Sequence, residues 1–141
     1  MIGAKEYLLK IEILDERVDN LNADISMLED MLYKITPTLK PDVVSTSGNN
    51  DKLANLMADH MDKKKKRDEA WDVFVDYKMQ AWETLQQVKK QEYRDILNQR
   101  YFKYKTLKDI AEEQHLEYRW IRRLHGRALQ AYEKAMREGG A

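Results

Sequence analysis

The chain has 141 residues, 25 Lys and Arg balanced by 25 Asp and Glu, and no cysteine. That length suits one domain or two small helical units, and the lack of cysteine excludes a disulfide framework or a thiolate metal site. No apolar run is long enough to span a bilayer, and acidic residues enter "MIGAKEYLLKIEILDERVDN" too early for a signal peptide, so the expectation is a soluble, intracellular protein without a membrane partner.

Five glycines, two prolines and 35% charged residues favour long helices over sheets. The balanced charge is segregated. Residues 1–62 hold 6 basic and 12 acidic side chains, and residues 93–141 hold 11 and 7. Such asymmetry suggests halves with different partners.

Met1 to about Ile35 reads as one long helix. Ala4, Ile11, Val18, Ile25 and Leu32 fall at heptad position a, and Tyr7, Leu14, Leu21, Leu28 and Ile35 at d. A period of 3.5 keeps one apolar seam turned toward a partner helix. The partner is either another helix of the same chain or a second copy, since β-branched residues at a with Leu at d favour a parallel homodimer. Pro37 and Pro41 end the helix. "DVVSTSGNN" follows with no helical period, so residues 36–50 are predicted to be a loop connecting antiparallel helices.

A second helix is predicted from Asp51 to about Val88. Leu53, Leu56, Met57, Trp71, Phe74, Tyr77, Ala81, Leu85 and Val88 recur at steps of three and four. "HMDKKKKRDE" interrupts them. Its basic run is either a nucleic-acid patch or localisation signal, or a solvated helix segment flanked by Asp62, Asp68 and Glu69. Two long helices of similar length and one loop predict an antiparallel hairpin or coiled coil over residues 1–88, with Trp71, Phe74 and Trp82 as core or interface anchors.

Residues 89–137 predict three shorter helices, and residues 138–141 a flexible tail. "QEYRDILNQRYF" carries Tyr93, Ile96, Leu97, Tyr101 and Phe102 at helical spacing, and "KYK" breaks it. Thr106 is a good N-cap with Asp109 three residues on, the spacing of a capping box. Leu107, Ile110 and Ala111 form an apolar face, and "HLE" makes a tight turn. In the last helix Ile121, Leu124, Ala128, Ala131 and Ala135 form one face, while Arg119, Arg122, Arg123 and Arg127 occupy others. Residues 118–137 hold six Lys and Arg against one acid, Glu133. An apolar rear with a guanidinium front suits the DNA major groove, where Arg forks onto guanine and further arginines meet phosphates.

From Tyr93 to Leu129 the sequence resembles the fourth region of bacterial sigma factors, in "ILNQRYF", "LKDIAEE", "QHLE" and "YRWIRRL" in order. Ala111 matches the close helix crossing, Leu116 the apolar turn residue and Ile121 the anchor of the recognition helix. His115 stands where such turns carry Gly, and Glu117 where they carry a capping Ser. More narrowly, "RLHGRAL" resembles phage and prophage proteins of the ArpU and RinA type, sigma-like regulators of late genes. The resemblance implies an all-α chain ending in a helix-turn-helix module. It also implies double-stranded DNA as ligand, host RNA polymerase as a second partner, and a place on the nucleoid in the bacterial cytoplasm.

The candidate DNA-contacting residues are Tyr118, Arg119, Trp120, Arg122, Arg123, His125 and Arg127. Tyr118, Arg119, Arg122 and Arg123, near the helix start, are expected at base edges and Arg127 at phosphate. Trp120 either packs on the preceding helix or touches a sugar, and His125 either packs or meets phosphate. Gly126 costs its helix roughly 1 kcal/mol relative to Ala, and its missing side chain permits close approach of another backbone or of a phosphate. No Gly-rich phosphate loop, HExxH or nucleophile elbow is present. His60, His115 and His125 stand alone at metal spacing. No catalysis, cofactor or metal is expected. Two other readings share the layout: a small-terminase-like phage DNA-packaging subunit, and a coiled-coil adaptor that binds no DNA.

Overall fold

The computed structural model describes residues 2–35 and 47–139, and among them the chain is helical with no strand. The elements are α1 (Ala4–Ile35), α2 (Ser47–Gln86), α3 (Gln91–Leu97), a π-helical turn (Asn98–Phe102), α4 (Leu107–Gln114) and α5 (Tyr118–Gly139). Pro37, Pro41 and most of the expected loop lie outside the described residues. Its last four residues do not: Ser47–Asn50 form the first turn of α2. At the other end α5 runs to Gly139, into the expected tail.

Packing divides the chain into two units, and the cut falls inside both long helices. One unit is Met1–Leu14 with Phe74–Ala141, the other Asp15–Val73. This differs from the division expected after Val88. That boundary followed the succession of elements, whereas the units follow which side chains share a core.

In the Asp15–Val73 unit the heptad seam of α1 is buried at Val18, Leu21, Ile25 and Leu28. Opposite it, α2 presents Leu53, Leu56, His60, Lys63 and Arg67, all half-buried, and the buried Ala70. These keep steps of three and four straight through the charged run. His60 Nε2 lies 3.0 Å from Glu29 Oε1, Lys63 Nζ lies 3.6 Å from Asp24, and Arg67 Nη1 donates to Asn22 Oδ1 at 3.3 Å. Long basic side chains cover apolar surface with their methylene stems and keep their charged ends at the rim. Lys66 pairs with Asp62 and Arg67 also with Asp68. Met57 and Trp71, expected on the packing face, are 51% and 52% exposed, because the stripe passes through Leu56 and Ala70 instead.

The other unit gathers the first turns of α1, the end of α2 and everything after it. Ala4, Leu8 and Ile11 of α1 are buried, Leu8 and Ile11 completely. Leu8 lies off the strict heptad; a helix covered from more than one side needs a wider apolar stripe than a two-helix seam. Phe74, Ala81 and Leu85 supply the face of α2. Tyr132 of α5 is fully buried and its hydroxyl donates to the Ala81 carbonyl at 2.9 Å. Burial also raises its pKa above the usual phenol value. Tyr77 donates to the Tyr7 carbonyl at 2.8 Å, and the Tyr7 ring lies 4.8 Å from that of Tyr77 and 6.3 Å from that of Tyr132. Trp82 is 40% exposed, with one edge on Phe102 at 5.3 Å. Arg94 ties the α2–α3 connection by donating to the carbonyls of Val88 and Lys89.

The π-helical turn places two consecutive aromatic residues inside. Lys103 N donates to Asn98 O at 3.0 Å, one residue further back than an α-helix allows. The widened turn lets Tyr101 and Phe102 both face the core. The helix stops at Tyr104, whose φ of 58° is unusual for a bulky side chain. Thr106 then caps α4: Asp109 N donates to Thr106 Oγ1 at 3.1 Å, and Thr106 N to the Asp109 carboxylate at 3.4 Å. α5 packs on both α3 and α4.

Candidate nucleic-acid interface

The connection from α4 to α5 is three residues, His115–Glu117. His115 takes the left-handed conformation at φ 55° and ψ 39°. Leu116 N donates to Ala111 O at 3.0 Å and His115 N to Glu112 O at 3.3 Å. This paired return of amides onto the last carbonyls is a Schellman ending, and it normally carries Gly at the left-handed position. Histidine tolerates that region better than most residues. Ala111 and Leu116 line one cleft with Lys108, Glu112, His115 and Tyr118. Glu117 accepts the first α5 bond, from Ile121 N at 3.1 Å.

Along α5 the buried residues are Ile121, Leu124, His125, Ala128, Tyr132 and Ala135. At about 100° per residue the opposite face centres on Arg119, Arg123, Gly126 and Gln130, with Arg122 and Arg127 to either side. All six are exposed. Arg119, Arg122 and Arg123 line one shallow cleft. The Arg122 guanidinium sits 5.8 Å from the Tyr118 ring and that of Arg127 5.8 Å from the Trp120 ring. Stacking on a ring holds a guanidinium extended while its donors stay free. No acidic residue occupies the first turn of α5.

Six of the seven sequence-predicted residues are therefore brought together on the surface: Tyr118, Arg119, Trp120, Arg122, Arg123 and Arg127. His125 is the correction. It is 9% exposed, its Nε2 is hydrogen-bonded to Tyr101 Oη at 2.7 Å, and the two rings stack at 5.6 Å. Burial, with Arg100 and Lys5 nearby, pushes its pKa down to about 4, while burial pushes that of Tyr101 up to about 12. A neutral, buried imidazole is a core residue and reaches no phosphate. Trp120 is 39% exposed and supports Arg127. Lys108 was not anticipated. It lines the α4–α5 cleft together with Tyr118, and its place in the first turn of α4, on the exposed side, was the available signal.

Among the described residues no group of His, Asp and Glu is placed to hold a metal ion, and no helix is long and apolar enough to cross a membrane. Comparison with protein-family models, curated proteins and solved structures yields no match.

Proposed function

We propose that this chain is a sequence-specific transcription regulator that binds double-stranded DNA through α4, its left-handed turn and α5, arranged as a helix-turn-helix, and that acts by binding and not by catalysis. The observation that carries this reading is the α5 front: four exposed arginines, two of them over aromatic rings, on a helix whose rear is buried in a core. Such a helix offers forked donors to guanine edges and charge to phosphates. The likeness to phage late-gene regulators adds the setting, binding near a promoter alongside host RNA polymerase. Residues 1–88 serve as an antiparallel hairpin in this reading. Burial of Leu21, Ile25 and Leu28 without a second copy favours the hairpin over a homodimer.

Genome-wide mapping of bound sites, followed by titration of the mapped duplex, tests it. Arg119→Ala or Arg123→Ala should weaken binding by about 1–3 kcal/mol and relax preference at one base pair. Arg127→Ala should weaken binding to all sequences alike and lower the salt slope by about one unit. Equal, sequence-independent losses at every arginine would leave only a basic patch, and sites confined to a genome-packaging locus would favour a packaging subunit.

A further inference from the structure

Gly126 sits in the third turn of α5, at the centre of the face opposite Ile121, Leu124 and Ala128. Glycine inside a helix is disfavoured relative to alanine, so a bare position there calls for a cause. A left-handed backbone is one, and no glycine among the described residues has positive φ. Close approach of a neighbouring element is another, and a Cβ built on Gly126 would meet no atom within 4 Å. The fold itself makes no use of the gap.

We infer that Gly126 is left bare for the ligand, at the point where a sugar-phosphate strand of the bound duplex crosses α5. This deepens the DNA-binding reading and rests on it. An α-helix rises about 1.5 Å per residue, so Gly126 lies about 10 Å along the axis from Arg119. The major groove is about 12 Å wide. A helix that sets its start, at Arg119, against base edges and crosses the groove obliquely meets one wall about this far along, close to residue 126. Cations flank that crossing: Arg122 one turn earlier, its guanidinium over Tyr118, and Arg127 adjacent, its guanidinium over Trp120. With only hydrogen at 126, a phosphate can settle onto the helix surface within reach of those guanidinium groups. Any side chain there would hold the strand away from them.

The role gives Gly126 effects of opposite sign on stability and on binding. The experiment compares Gly126→Ala, Gly126→Leu, Arg119→Ala and Arg123→Ala with the parent chain. Each is melted, then titrated with a duplex selected by the parent from a random-sequence pool. Gly126→Ala should melt a few degrees higher, as the gain in helix propensity shifts a domain of this size, yet bind several-fold more weakly. Gly126→Leu should lose roughly tenfold or more in affinity, as should the arginine variants. Undiminished binding by folded Gly126→Leu, beside losses at the arginines, overturns the inference and leaves the DNA reading in place. If the Leu variant fails to fold, the affinity of the Ala variant decides in the same way. A lower melting temperature for Gly126→Ala assigns the glycine to the fold and also overturns the inference. Failure to select any duplex, or no loss at the arginines, removes the reading and the inference together.

Discussion

His125 makes a single-residue prediction about acid stability. Its folded pKa is lowered to about 4 from an ordinary value of 6.5, so the unfolded chain takes up this proton first as pH falls. Stability from this residue is therefore complete above about pH 6.5 and drains away toward pH 4, by up to about 3 kcal/mol. The measurement is the urea midpoint of parent and His125→Gln between pH 7.5 and pH 4. The variant keeps a hydrogen-bonding group for Tyr101 and cannot titrate, so the gap between the two chains should close or reverse on acidification. Parallel curves would show that the imidazole is not what acid attacks. The sequence placed His125 within an arginine-rich stretch, and only its angular position separates it from that stretch. It sits one residue from Leu124 and four from Ile121, on the buried side. Its partner Tyr101 is 24 positions away, a pairing no local pattern announces.

At the scale of elements, local chemistry was legible and long-range register was not. The α1 seam shows as a regular repeat within one helix, while the Thr106–Asp109 box, the break at Lys103–Lys105 and the turn at His115 each depend on a few adjacent residues. The α2 seam was hidden because three of its positions, His60, Lys63 and Arg67, are polar or charged. The clue was that steps of three and four from Leu56 to Ala70 run through them, opposite Asn22, Asp24 and Glu29 on α1. If their stems do the covering, Lys63→Met should change stability by less than about 1 kcal/mol, since a partly exposed ion pair contributes little. Leu21→Asp should cost about 3 kcal/mol or more, as an unpaired carboxylate enters the seam. Chemical denaturation of both variants checks this, and a loss in Lys63→Met as large as in Leu21→Asp would make the seam electrostatic. The π-helical turn was invisible in advance. "NQRYF" contains nothing that distinguishes it from an ordinary helix end, and its widening answers to the core on which Tyr101 and Phe102 both pack.

At the scale of the molecule, residues 89–141 lack partners that their own core requires. Tyr132 is fully buried with its hydroxyl on Ala81, and Leu8, Ile11 and Leu85 are buried in the same unit. A fragment of residues 89–141 should therefore be largely unfolded by circular dichroism, being below about 70 residues and short of core. A cooperative melt in that fragment would show that the last three helices suffice. The sharing of one core by the first turns of α1 and the middle of α5 also orders events during synthesis. Residues 15–73 carry their own packing partners and can assemble early. Residues 4–14 must wait until Tyr132 has been added, 118 residues after Leu14, or about 6 to 24 s at ribosomal rates of roughly 5–20 residues per second. Until then the arginine helix has no completed scaffold behind it, so a nascent or prematurely terminated chain carries those arginines on a helix whose rear is still uncovered.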